Sequence, residues 1–226
     1  MKRRENSRLV PLINALDRFS MIAEQYRTIR SNIQFISVDQ AVKTLVVTSA
    51  GPEEGKSTVS ANLAIVFANS GKKILLVDAD LRKPSVADIF QFSVHTKGLT
   101  NLLGEKEKTL EAYVNKTGMD HLWIMTSGPK PSNPSEMLDS MRMKEIIEGV
   151  KMQFDLVIFD MPPVATVTDA QILASKTDGT LLVVRERKTL KHELVKAKKL
   201  LTMAQANILG VVYNGAKENN DFSYYY

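Results

Sequence analysis

The stretch "TLVVTSAGPEEGKST", Thr44 to Thr58, passes from a β-branched run into a glycine-bearing loop, and the segment "STVSANLAIVFANS" beyond it takes up helical period. The loop "AGPEEGKST", Ala50 to Thr58, fits the phosphate-binding pattern of strand, G-x-x-x-x-G-K-[ST] and helix, with Ala50 in place of the first glycine. Gly51 and Gly55 permit a backbone path whose N–H groups turn inward toward phosphate oxygens. Lys56 can reach the β- and γ-phosphates, Ser57 offers a hydroxyl to Mg2+, and the helix start adds partial positive charge. Gly51, Glu54, Gly55, Lys56, Ser57 and Thr58 are the expected nucleotide-binding residues, with a plain glycine turn as the competing reading.

Outward from this loop, the short runs "KILLVD", "LWIMTS", "DLVIFD", "TLLVV" and "ILGVVYN" alternate with helical segments such as "PSEMLDSMRMKEIIEGVKMQF". Apolar strands alternating with helices imply an α/β fold, a mostly parallel sheet covered by helices on both faces. Ligands bind such sheets at the carboxyl ends of the strands. The sequence reads as a single domain over 1–226, with a helix at 20–37 and a polar, tyrosine-ended tail at 215–226. Gly71, between "VFANS" and "KKILLVD", is expected to close a helix.

Two further strands end in acid. "ILLVDADLR" places Asp78 and Asp80 at one carboxyl end, and "LVIFDMPP" places Asp160 at another. An Asp closing a strand is often only a helix cap. Three of them on the edge that carries a phosphate loop would repel one another unless a cation held them, and the Mg2+ of a bound nucleotide is the simplest such cation.

The three motifs "AGPEEGKST", "ILLVDADLR" and "LVIFDMPP" together resemble the Walker A, Walker A′ and Walker B motifs of the bacterial protein-tyrosine kinases, or BY-kinases, and "VTDAQIL" is also similar to that family. The likeness runs from about Glu24 to Tyr226, departing at Ala50 and at Met161, where Thr is usual. It is nearest to the separate cytoplasmic kinase subunit of Gram-positive bacteria. It implies a P-loop NTPase fold of the ParA/MinD type, ATP and Mg2+ as cofactors, and autophosphorylation of the tyrosine cluster Tyr224, Tyr225 and Tyr226. By the same resemblance Asp78 is the base for the tyrosine hydroxyl, Asp80 and Asp160 organise Mg2+ and its waters, and Ser57, Asp78 and Asp160 surround the metal. It further implies a role in capsular or extracellular polysaccharide synthesis and export. The implied partners are a membrane-spanning activator that recruits the chain to the inner face of the membrane, protein-tyrosine substrates and a phosphotyrosine phosphatase.

In "MIAEQYRTIRSNIQFI" the apolar positions Ile22, Tyr26, Ile29, Ile33 and Ile36 form a stripe expected to be buried. Glu24 and Arg27 lie off the stripe and Arg30 on its margin. Pairing within the helix accounts for them locally; the resemblance instead makes Glu24, Arg27 and Arg30 an E-x-x-R-x-x-R interface that joins copies into a ring. Asn214, in "VVYNG", is expected either to contact adenine, as in related ATPases, or to form a turn before Gly215.

Composition narrows the alternatives. With no Cys, 44% hydrophobic and 24% charged residues, disulfides and zinc–cysteine or iron–sulfur sites are excluded and a sizeable core is affordable. No run reaches the length of a membrane span, and "MKRRENSRLV" is followed by no signal-type apolar segment. The net charge of +5 comes largely from the first ten residues and from "KTLKHELVKAKKLL", neither interleaved with aromatics, so no nucleic-acid partner is expected. His95, His121 and His192 lack metal-ligand spacing. Two other functions compete. A spatial-organising ATPase of the ParA/MinD type would carry a second loop lysine where Gly51 stands, and a non-catalytic nucleotide-binding regulator would need fewer carboxylates.

Overall fold

The structure is a computed structural model that describes residues 20–36, 41–93, 95–105 and 109–216. All six strand-like runs are strands: β1 (Thr44–Ser49), β2 (Ile74–Asp78), β4 (Leu122–Met125), β5 (Leu156–Asp160), β6 (Gly179–Arg185) and β7 (Ile208–Asn214). A seventh strand, β3 (Asn115–Lys116), is not foreshadowed in the sequence, because two residues are too few to show a period. The strands form one sheet in the order β3-β4-β2-β5-β1-β6-β7, parallel except for β3 against β4 at one edge.

Alternate residues of each central strand point to opposite faces. Leu45, Val47, Ile158 and Val183 meet α1 (Met21–Ile36), α2 (Lys56–Ala68) and α3 (Val86–Ile89). Val46, Val77, Phe159 and Leu182 face α4 (Leu99–Gly104), α5 (Pro134–Asp139), α6 (Met141–Gln153), α7 (Asp169–Ala174) and α8 (Lys191–Met203). Helices therefore cover both faces, as the alternating pattern implies. Every residue of α2 from Val59 to Ala68 is buried, which suits a helix lying between the sheet and α1.

Three local expectations change. The helical segment beginning at Pro134 breaks at Ser140, which is extended (φ −62°, ψ 155°) and whose Oγ accepts the Met143 N–H at 3.2 Å, capping α6. A mid-helix serine competes with the backbone in this way, and here the cap wins. Gly71 stands beyond the helix end: Asn69 is the cap of α2, and Gly71, at φ +84°, closes the following turn onto the Ala68 carbonyl. In α1 only the middle of the stripe is buried, at Tyr26 and Ile33 together with Ala23, whereas Ile22 and Ile36 are 41% and 51% exposed. α1 meets the domain over its central turns, leaving its end positions open.

At the amino end of the sheet, away from the phosphate loop and the acidic strand ends, Asp178 fastens β1 to β6. One carboxylate oxygen accepts from the Lys43 and Thr44 backbone N–H groups at 3.0 and 2.9 Å and from the Thr44 hydroxyl at 2.8 Å, and the other meets Lys151 at 3.2 Å. Burial pushes this carboxyl up, but the Thr44, Lys43 and Lys151 contacts outweigh it and hold it below the usual range. A depressed folded value means stability that is complete above the unfolded value and lost as pH falls through the folded one. Because Asp178 is partly exposed and water screens its contacts, Asp178→Asn should destabilise the chain at pH 7 by only about 1 kcal/mol. Urea denaturation should show the difference from wild type shrinking as pH falls below about 4.

Candidate active site

The carboxyl ends of β1, β2 and β5 are neighbours in the sheet, and the register pairs Asp78 directly with Asp160. β1 delivers the loop that opens α2, and the three acidic residues are all nearly or fully buried. The Lys56 ammonium lies 3.0 Å from Asp80 Oδ2, 3.5 Å from Asp160 Oδ2 and 3.1 Å from Ser57 Oγ. Burial disfavours its charge, yet Asp160 and Asp80 outweigh that and raise its pKa, so Lys56 stays an ammonium.

Each carboxylate is held differently. Asp78 Oδ2 accepts the Ser85 and Val86 N–H groups, both at 2.9 Å, at the start of α3. Its Oδ1 is buried without a hydrogen-bond partner. Burial first, and Asp160 second, push the Asp78 carboxyl up to about 7 against the pull of those N–H groups and Lys56. Asp80 Oδ1 accepts the Lys83 N–H at 3.0 Å. Asp160 Oδ1 accepts from Ser60 at 3.1 Å, its Oδ2 has no hydrogen-bond partner, and burial raises its pKa despite Lys56 and the serines.

Without a bound nucleotide, the chain supplies its own counter-charge to the three carboxylates. The cation between Asp80 and Asp160 is Lys56, and Asp78 is held by backbone dipoles. Among the described residues no group of three or more His, Cys, Asp or Glu is arranged to hold a metal ion. Asp78 Oδ1, without a hydrogen-bond partner, and Asp160 Oδ2, met only by the Lys56 ammonium at 3.5 Å, suit a hard cation whose remaining ligands are phosphate oxygens and water.

The loop is braced from within: the Gly51 N–H donates to Glu54 Oε2 at 3.0 Å. Glu54 is itself folded into the loop, 2% exposed, and its Oε1 accepts from the Thr189 hydroxyl. Its backbone carbonyl accepts from Asn214 Nδ2 at 2.9 Å, so Asn214 does more than form a turn. Gly55 has a φ of +93°, a left-handed backbone that favours glycine, and a Cβ there would also push the Asn214 amide, 2.1 Å away, out of its place. From outside, Arg185 and Lys188 reach the Glu53 carbonyl at 3.0 and 3.4 Å.

Sequence reasoning missed Thr189, Arg185, Lys188 and Ser60, whose partners lie about a hundred residues or more away with no local motif to mark them. It also missed a junction next to Asp80. Arg82 makes a two-pronged contact with the fully buried Asp169 at 2.8 and 3.0 Å, and Ser135 donates to the same carboxylate at 2.6 Å. Glu24, Arg27 and Arg30 do not join the site. Arg27 Nε pairs with Glu24 within α1 at 2.6 Å, and Arg30 donates to the Val66 carbonyl at 3.1 Å. The tail tyrosines Tyr224, Tyr225 and Tyr226 lie outside the described residues.

Residues 42–208 match the family described as AAA domain. Over 208 residues the chain is 48% identical to the tyrosine-protein kinase YwqD of Bacillus subtilis (strain 168), covering 91% of this chain and 87% of the relative. The chain belongs to the bacterial tyrosine-protein kinases. The kinase also superposes on the crystal structure of the chimerical protein CapA2B2 with a TM-score of 0.87 at 40% identity, covering 92% of this chain and 90% of that one. Its likeness to the septum site-determining protein MinD of Pyrococcus horikoshii OT3, complexed with Mg-ADP, has a TM-score of 0.64 at 23% identity over 78% of this chain and 72% of that chain. That last likeness shows the shared P-loop NTPase fold alone. The kinase relatives thus displace the spatial-organising ATPase and the non-catalytic regulator as readings of this chain.

Gly55→Ala would impose both a left-handed backbone on alanine and a clash with Asn214. Strain of about 1–3 kcal/mol in the loop should weaken ATP binding by about tenfold or more. Isothermal titration calorimetry measures it, with circular dichroism expected to stay unchanged.

Proposed function

We propose that the kinase transfers the γ-phosphoryl group of ATP to Tyr224, Tyr225 and Tyr226 of a neighbouring copy within a ring, and that this controls capsular or extracellular polysaccharide synthesis and export. The observation that carries the reading is Asp78: one carboxylate oxygen fixed by two N–H groups, the other buried and free of hydrogen bonds, beside Lys56 and opposite Asp160. A tyrosine hydroxyl has a pKa near 10 and needs such an acceptor for its proton during transfer. Asp78 takes that role. Lys56, released from Asp80 and Asp160, turns to the phosphates, and the N–H groups at the start of α2 assist it. Ser57 and Asp160, with Asp78 beside them, would hold Mg2+, which would supply bound ATP with neutralisation of phosphoryl charge. Asp80, tied to Lys83, organises the waters around it. The base contact is assigned to Asn214 on the family resemblance, through the amide atoms that its bond to Glu54 leaves over.

Within the described residues Tyr26 and Tyr113 are buried, and burial pushes the Tyr26 hydroxyl up to about 12, whereas Tyr213 on β7 is 59% exposed. Burial disfavours Tyr26 and Tyr113 as acceptors and leaves Tyr213 as the alternative to the tail. No helix among the described residues is long and apolar enough to cross a membrane. We assign the chain to the cytoplasmic side, recruited by a separate membrane-spanning activator, with a phosphotyrosine phosphatase reversing the modification.

Incubation with labelled ATP and Mg2+ tests transfer between copies. A Lys56→Met chain with its tail should be unable to label itself, yet become labelled when mixed with an active chain lacking Tyr224 to Tyr226. An unlabelled Lys56→Met chain in that mixture contradicts transfer in trans. The ring is tested separately. Replacing Glu24, Arg27 and Arg30 by Ala should shift sedimentation velocity profiles toward monomer and reduce autophosphorylation. Because Arg30 also bonds the Val66 carbonyl, Glu24→Ala with Arg27→Ala is the control that leaves that contact in place.

A further inference from the structure

An acidic side chain inside a phosphate-binding loop is an electrostatic oddity. Glu54 stands immediately before Gly55 and Lys56, is 2% exposed, and would repel phosphates unless its charge were directed elsewhere. Both of its oxygens are committed. Oε2 takes the Gly51 N–H at 3.0 Å, bridging the loop from end to end, and Oε1 takes the Thr189 hydroxyl. Thr189 has no choice of direction, because its oxygen already accepts the Arg185 N–H at 2.8 Å and its single proton goes to Glu54. On the other side Asn214 holds the Glu54 carbonyl at 2.9 Å. The loop is thus gripped from the β6–α8 connection and from the end of β7.

We propose that Thr189 is a positioning residue for nucleotide binding: its hydroxyl fixes the Glu54 carboxylate in the pose that captures the Gly51 N–H, and so sets the shape of the phosphate loop. The inference rests on the nucleotide reading given above. Glu54 does not face the phosphates in this role. It braces the loop from behind, and Thr189 supplies the hydrogen bond without which a buried carboxylate oxygen would be left unpaired. A carboxylate suits the position because it accepts from two donors on opposite sides, Gly51 and Thr189, with no donor of its own to misplace.

The test is binding of Mg-ADP by isothermal titration calorimetry, which needs no turnover. Thr189→Val should weaken binding by about tenfold, the usual scale for a lost hydrogen bond to a charged group. Thr189→Ser, which keeps both bonds, should bind within about twofold of wild type. In a Glu54→Ala background Thr189→Val should have no further effect, since residues acting through one another are not additive. A residue that merely closed the 185–189 turn would lower the melting temperature and leave affinity unchanged, with or without Glu54. Thr189→Ala, measured in the same way, replaces Thr189→Val if the valine chain does not fold. Wild-type affinity in the Thr189 variants, or an equal loss on the Glu54→Ala background, overturns the proposal. A wild-type chain that binds no Mg-ADP overturns the nucleotide reading itself and the proposal with it.

Discussion

Lys56 is an ammonium almost wholly removed from water, and it can remain charged there only because Asp80 and Asp160 stand within 3.0 and 3.5 Å. Those two carboxylates need the ammonium equally. The geometry that brings the three together is a matter of strand order: β5 lies between β2 and β1, so the acid of one neighbour, the acid of β5 and the loop of the other neighbour end at the same level. A slip of one residue in the β2–β5 register would turn Asp78 to the opposite face and separate it from Asp160. Register in turn is fixed by the apolar residues on both faces of these strands, which have no solvent-facing alternative.

Around this cluster the chain separates two sides. On the nucleotide side, distant segments tie down the loop: Thr189 and Asn214 through Glu54, and Arg185 and Lys188 through the Glu53 carbonyl. On the other side Arg82 leaves the Asp78–Asp80 segment and locks onto Asp169 and Ser135, the first turns of α7 and α5. A planar guanidinium meeting a buried carboxylate on two prongs restrains orientation as well as distance. Asp80 is thereby flanked by a fixed neighbour, and the acidic segment is kept from collapsing further onto Lys56.

The sheet was legible because its central strands are buried on both faces and therefore written as unbroken apolar runs, and the site was legible where its groups lie close in sequence. Gly55, Lys56 and Ser57 are consecutive, and Asp78 and Asp80 are separated by one residue. What stayed hidden is what folding assembles from afar. Nothing local marks Thr189 as the partner of Glu54, and nothing in a serine at 140 tells cap from helix interior until its Oγ finds the Met143 N–H. The ends of α1 misled for the converse reason: a period of apolar residues shows which side of a helix can be buried, but not how far along its length another element covers it.

The charge balance of the site explains why a phosphate loop with its own lysine still calls for a divalent cation. Three carboxylates, Asp78, Asp80 and Asp160, face one ammonium, while Arg82 is paired with Asp169 and Lys188 with Glu53. Burial pushes Asp78 up to about 7 and raises Asp160 as well, so the cluster resists full ionisation, and the charge it does carry leaves no surplus of positive charge for the phosphates of a nucleotide. Loop dipoles offset part of this, but the Gly51 N–H is committed to Glu54 and leaves fewer donors for the phosphates. The excess of acid is therefore an argument about substrate as much as about catalysis. On the proposed function, a nucleotide that arrives with Mg2+ would bring the positive charge that this cluster lacks. The acid assigned there to accept a tyrosine proton would thus also help to select the form in which the phosphoryl donor enters.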